Sequence, residues 1–205
     1  MSLGRLGVIA WCEGNFAAAG SHHEQSLVLY REMGYTWGIA HALGNLGLVT
    51  QSQGDQARAV TLCEESLRLW RELGDLWGTA WSLNVLGHVA QRLGDDERAG
   101  ALLKESLRLT WQRGDRAGAA WCLEGLAGVA GATQQPERAA RLFGASAALR
   151  DVIGTPLPPV ERVGYERRMA EVRARLGAAA FAVAWAEGGA TPLEQVIVDA
   201  FDGEA

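Results

Sequence analysis

A step of forty residues reproduces most of this chain. From Leu46-Gly47 it lands on Leu86-Gly87 and Leu126-Ala127 going forward, and on Leu6-Gly7 going back. The same step joins Ala19, Ala59, Ala99 and Ala139, then Ser26, Ser66, Ser106 and Ser146, then Leu29, Leu69, Leu109 and Leu149. Gly34, Gly74, Gly114 and Gly154 close the cycle. Self-similarity at this period dictates a solenoid, in which each unit buries its apolar face only against its neighbours.

Within one unit the period is helical. Leu62, Cys63, Ser66, Leu67, Trp70 and Leu73 follow Ala59 mostly three or four apart, which places them along one side of a helix that a neighbour must cover. Asp55 supplies a capping carboxylate at the start of that helix, and Gly74 a left-handed stop. Asp75 then opens a second helix through Trp77, Ala80, Leu83, Leu86 and Val89 to Leu93-Gly94. Loops this short make the two helices antiparallel neighbours. No alternating run is long enough for a strand, so the fold class is all-α.

The pattern at Leu43, Leu46-Gly47, Thr50, Ala59 and Cys63 resembles the tetratricopeptide repeat, with Ser66 where that family usually has alanine. Two departures mark a long variant: Thr50, Ala90 and Ala130 stand at the usual tyrosine, and Arg71 and its equivalents at the usual terminal proline. The unit is forty residues against a family standard of about thirty-four, with the extra length in longer helices around Gly34–Gly38 and Gly74–Gly78. The resemblance implies a right-handed α-solenoid of antiparallel helix pairs with a C-terminal helical cap. Residues 1–154 divide into four repeats (about 3–42, 43–82, 83–122 and 123–154), and residues 155–205 form the capping segment. The first repeat is truncated: Leu3 matches Leu43, and the turns equivalent to Asp75–Ser82 are missing before it. A piece cut from a larger protein, with Met1-Ser2 as a cloning scar, is expected over the alternative of a natural start with a shortened cap. The apolar seam of Leu6, Val8, Ile9 and Trp11 would then favour a homodimer through the N-terminal repeat.

Thr155-Pro156-Leu157-Pro158-Pro159 ends the repeats, since proline cannot donate a helix hydrogen bond and restricts the residue before it. Beyond it the spacing predicts a helix over 159–176 stopped by Gly177. A second should run over 178–187, stopped by Gly188-Gly189, and a third from Thr191, as cap, to near Phe201. Glu171 with Arg175 and Arg162 with Glu166 are spaced for surface pairs. This tail, with Arg138–Ala145, Leu149-Arg150, Tyr165-Glu166 and Ala182–Gly188, looks like the end of the helical region in bacterial LuxR/STAND-type ATP-dependent transcriptional regulators. In those proteins an ATPase domain precedes the repeats and a DNA-binding helix-turn-helix may follow. Neither is in this sequence: it contains no GxxxxGK[ST] loop, and Asp202-Gly203-Glu204-Ala205 does not lead into a basic recognition helix.

The net charge of −5 argues against a broad nucleic-acid surface in this chain. With 48% apolar and 21% charged residues it reads as an ordinary globular chain. No apolar run approaches a membrane span and no signal pattern opens the sequence, so a cytoplasmic location and no membrane partner are expected. Cys12, Cys63 and Cys122 lack metal spacing and read as packing thiols. His22-His23 reads as a solvated pair rather than a metal site, and Glu64, Glu65 and Glu105 as solvated helix faces.

No nucleophile, base and orienting group assemble from the spacing, so no catalytic residue, metal or cofactor is assigned. The tetratricopeptide register instead places Trp11, His41, Leu48, Gln51, Trp81, Asn84, His88, Gln91, Trp121 and Glu124 along a concave groove. Indoles among amide and imidazole groups suit a peptide, a protein or a small effector; the plain alternative has Trp81 and Trp121 packing between units. Trp37 and Trp77, near helix starts, are expected in the core. The functional expectation is a non-catalytic interaction or effector-sensing module of a larger regulator. The alternative is a structural scaffold that self-associates through its open N-terminal seam.

Overall fold

The computed structural model describes residues 2–202; Met1 and the closing Gly203-Glu204-Ala205 lie outside them. Four helix pairs follow one another: α1 (Leu3–Cys12) with α2 (Phe16–Glu32), α3 (Thr36–Gln53) with α4 (Gln56–Leu73), α5 (Leu76–Arg92) with α6 (Asp96–Gln112), and α7 (Arg116–Ala132) with α8 (Pro136–Ile153). Three more helices follow, α9 (Pro159–Leu176), α10 (Ala178–Ala190) and α11 (Leu193–Asp202), and there is no strand among the described residues. α1 to α7 each pack mainly on their chain neighbours, as an all-α solenoid requires.

The repeated residues explain the pairing. Asp55, Asp75, Asp95 and Asp115 each accept a bond from the backbone N–H three residues on, capping the helix that follows. Gly34, Gly54, Gly74, Gly94 and Gly114 all take positive φ between the helices. At the crossing inside each pair, Gly7 faces His23, Gly47 faces Cys63, and Gly87 faces Leu103. Any Cβ at these three positions would enter the opposing side chain. Unit four puts Ala127 at this position and the buried Phe143 at the position of Cys63 and Leu103.

The recurrent serine has a separate role. Ser66 Oγ donates to the Ala40 carbonyl at 2.8 Å, Ser106 to Ala80 at 2.7 Å and Ser146 to Ala120 at 3.2 Å, each bond reaching 26 residues back to the first helix of the pair. In the first unit, where that helix is shorter, Ser26 turns to its own helix and donates to the His22 carbonyl. Ser106 also accepts from the Cys122 thiol at 3.2 Å, which ties it to the next unit. Ser106→Ala should therefore lower stability by about 1 kcal/mol, read as a reduced urea midpoint at unchanged slope.

On the outer surface, Arg58 meets Glu24, Arg98 meets Glu64, Arg71 meets Glu105 and Arg31 meets Glu65 at 2.7–3.8 Å, so those carboxylates are exposed but paired between units. Each such pair contributes roughly 0–1 kcal/mol.

The tail departs from the solenoid. α10 lies along α8, and their backbones approach so closely that a Cβ at Gly188 would fall on the Arg141 carbonyl oxygen and one at Gly144 on that of Trp185. Gly188 and Gly189 therefore sit inside α10, which continues to Ala190, and do not end it as the sequence suggested. α9 is displaced from this slot and crosses the concave side, touching α7 and reaching α1. Thr191 does not cap α11; its hydroxyl donates back to the Glu187 carbonyl at 2.7 Å. Glu171 pairs with Arg167 at 3.9 Å, because Arg175 instead donates to the Gly131 carbonyl, and no ion pair joins Arg162 and Glu166 among the described residues. No helix among these residues is long and apolar enough to cross a membrane.

A tryptophan-walled cavity beneath the tail helix

The first helices of the four pairs, α1, α3, α5 and α7, form the concave wall, and α9 with the prolines before it lies across that wall. Between them is a cavity of about 440 Å³ whose lining includes Trp11, His41, Trp77, Trp81, Trp121 and Glu161. A smaller chamber of about 90 Å³ continues beneath α9, bounded by Gln51, His88, Gln91, Glu124, Tyr165 and Arg168, with Trp11, Trp121 and Glu161 shared between the two.

The aromatic wall is ordered. Trp77 and Trp81, one turn apart on α5, lie parallel within 2° at a centroid separation of 6.2 Å. His41 sits beside both, tilted by 20° and 19°, and stacks at 5.3 Å on Trp37. Trp81 seats against Gly44 of the preceding unit, where no Cβ would fit. Trp11 donates its Nε1 proton to Ser52 Oγ at 3.0 Å, which fixes the ring on α3. Trp37 and Trp77 are 38% and 36% exposed, so the core position expected of them is overturned: the helix start swings both rings past Trp70, which is fully buried and meets each edge-on. Burial among the rings lowers the His41 pKa, so the imidazole lies neutral in the stack.

The remaining groove candidates separate. Gln51, His88, Gln91 and Glu124 lie in the inner chamber under α9, and Leu48 lines both spaces. His88 stacks on Trp121 at 5.3 Å, and burial pushes its pKa down to about 3, with Arg168 and Arg92 adding repulsion. Gln91 donates to the Gly125 carbonyl at 3.4 Å. Asn84 is not in the groove; it is buried and donates to Cys122 Sγ at 3.1 Å. His22-His23 is not a solvated pair, because His23 is 1% exposed beneath Gly7, and burial with neighbouring His41 and His22 lowers its pKa to about 4. Cys63 and Cys122 are buried and Cys12 half-buried, all as free thiols. No group of three or more histidine, cysteine, aspartate and glutamate side chains among the described residues is placed to hold a metal.

Glu124 was expected in the groove; its ion pair with Arg150 and the nearby Glu161 were not foreseen. Glu124 accepts from Arg150 Nε at 2.5 Å and Nη2 at 3.0 Å and from Ser146 Oγ at 2.7 Å, a bidentate ion pair with side chains only 2% and 9% exposed. Burial opposes the charge on Arg150, and the Glu124 contact outweighs it. The Glu161 side chain, from α9, makes no hydrogen bond or ion pair among the described residues. Burial and the Glu124 charge push its pKa up to about 7, against the pull of Arg150, Arg168 and Arg92. One signal could have found it: continuing the forty-residue step from His41, Trp81 and Trp121 lands on Glu161.

A raised carboxyl pKa has a defined consequence for stability. In the unfolded chain Glu161 ionises near the ordinary glutamate value of 4.5, whereas the folded chain holds the proton to about 7. Its contribution is thus fully present below about 4.5 and is lost as pH rises through about 7. His23 and His88 act oppositely, costing stability as pH falls below 6.5. Glu161→Gln isolates the first effect. The variant should match the parent near pH 4.5 and melt higher above pH 7 in a pH series of thermal melts.

Comparison with curated proteins gives no match. A family profile described as the tetratricopeptide repeat matches residues 1–72, 38–110 and 79–151, in steps that follow the internal period. Those matches run through all four helix pairs whose first members build the cavity wall, and on them the chain belongs to the tetratricopeptide-repeat family.

Proposed function

We propose that this chain is a non-catalytic effector-sensing module of a larger bacterial transcriptional or signalling regulator of the LuxR/STAND type, and that it takes a small ligand in the tryptophan-walled cavity. Tetratricopeptide repeats generally mediate protein–protein interaction, through an open concave groove. The observation that carries a different emphasis is α9: it spans the groove between α7 and α1 and leaves about 440 Å³, within the size range of small-molecule sites. Residues 155–205 then act as a cap that shapes the site, and a peptide or protein partner would meet the outer faces of the solenoid. DNA contact belongs to other parts of such a regulator, and a cytoplasmic location follows from that role.

One observation favours the scaffold reading. Val8, Ile9, Val28 and Leu29 are 41–55% exposed on the first pair, whereas Leu69, Leu109 and Leu149, the equivalents of Leu29, are under 10%. An apolar face of this kind suits a second copy of the chain. The two readings separate in one double variant, Trp81→Ala with Trp121→Ala. The effector reading expects ligand-induced changes in tryptophan fluorescence to disappear while light scattering reports an unchanged oligomer. An altered oligomer in a parent that never responds to a small-molecule panel would favour the scaffold.

A further inference from the structure

We propose that the cavity takes a small organic cation, an amine or quaternary ammonium on an apolar body, with Glu161 as its counter-ion. This rests on the effector reading and names its ligand class.

Two features of the cavity point to positive charge. The first is its wall. Trp77 and Trp81 present parallel indoles with His41 beside them, and Trp11 and Trp121 also line the space. Aromatic faces carry negative quadrupole potential and attract ammonium groups, most strongly when water is excluded.

The second is the balance of charge at the wall. Arg150 lines the cavity, but its guanidinium is committed to both Glu124 oxygens and to the Thr155 carbonyl at 3.3 Å. Arg92 and Arg168 flank the inner chamber and act on Glu161 electrostatically, but among the described residues neither forms an ion pair with it. Asp115, also on the wall, uses one carboxylate oxygen to cap α7. Among the described residues the Glu161 carboxyl therefore takes part in no hydrogen bond or ion pair, while Arg150, Arg168 and Arg92 act on it only at longer range, and it borders both spaces that the indoles line. A cation seated on those rings completes it.

Size decides the form of the ligand. α9 reaches from α7 to α1 across the groove, so the site suits a free molecule rather than a lysine on an extended peptide. Binding a cation stabilises ionised Glu161, so a proton leaves as the ligand enters. Affinity should rise as pH climbs through about 7, where the groups surrounding Glu161 are Glu124 on α7, Arg150 on α8, Arg92 on α5, Cys12 on α1, and Arg168 with the neighbouring Tyr165 on its own helix.

The test titrates the whole chain with choline and with its neutral carbon isostere 3,3-dimethylbutan-1-ol, following tryptophan fluorescence and calorimetry, with the tripeptide Gly-Lys-Gly as a third arm. Choline should bind at least about tenfold tighter than the isostere, in keeping with a desolvated cation–π contact plus a counter-ion. Glu161→Gln should bring the two within about twofold and leave the thermal melt near pH 4.5 unchanged. Trp81→Phe should keep most of the preference and Trp81→Leu should lose it. Equal or tighter binding of the isostere overturns the cation assignment and leaves the effector cavity standing. Binding of neither overturns it too, and the Trp81/Trp121 double variant with a broader panel then judges the effector reading. Tighter binding of the lysine peptide overturns the free-ligand form and the effector reading, and moves the cation to a partner's side chain.

Discussion

Arg150→Met should destabilise the fold by about 3–5 kcal/mol, because it strands the Glu124 carboxylate in a site where 2% of that side chain is exposed. Glu124→Gln should cost nearly as much, since it leaves the guanidinium without its bidentate acceptor. The double variant should recover most of the loss, as a buried pair replaced by neutral groups of similar volume gives back its desolvation cost. Urea unfolding of the four proteins measures all three effects. Arg150 occupies the position held by Tyr30, Trp70 and Thr110 in earlier units. There the side chain fills the space beside the next pair's first helix. In the fourth unit no such helix continues the solenoid, and α9 crosses above with Glu161. The ion pair thus fills the end of the stack where Tyr30, Trp70 and Thr110 pack against the next helix pair.

Gly188→Ala should have the second largest effect. The added Cβ meets the Arg141 carbonyl oxygen, a backbone atom that no rotamer change can move aside, so α10 must lift from α8. A cost of about 1–3 kcal/mol or more is the usual result of overpacking. Its location is the sharper expectation. Amide exchange should accelerate across α10 and α11, while α3 and α4, which meet only their solenoid neighbours, keep their protection. Gly144→Ala, which meets the Trp185 carbonyl from the other side, should reproduce the pattern.

The solenoid was legible because its rules are local and repeated. Asp55, Gly74 and Leu46-Gly47 announce cap, stop and crossing at fixed offsets, and the helices begin and end within a residue or two of those signals. The tail was legible as helices and not as an arrangement. α9 contacts α1 about 150 residues away, and no periodicity records where a helix goes once it leaves the stack. The same limit explains Glu161, whose helix had been read only as part of the capping segment. The sequence also misplaced the rings at helix starts: an indole at Trp37 or Trp77 has the spacing of a core residue, yet lies where two units diverge and the wall opens. His23 failed in the reverse sense. Its polarity suggested solvent, while its place opposite Gly7 forced burial. Gly188-Gly189 looked like a helix stop and is a seat for α8, since glycine serves close approach as readily as chain reversal.

α9 lies across the groove and turns it into a partly roofed cavity. Nitroxide labels at Glu13, beyond α1, and Arg162, on α9, both exposed, test it by electron-spin distance measurement in a Cys12→Ser background. Cys63 and Cys122 are buried, with thiol pKa values pushed up to about 12 and about 11, so they should resist labelling. A single narrow distance distribution, unchanged in Trp81→Ala, is the expected result. A broad distribution extending to long distances would mean that α9 does not rest on the groove, and would contradict the roofed site.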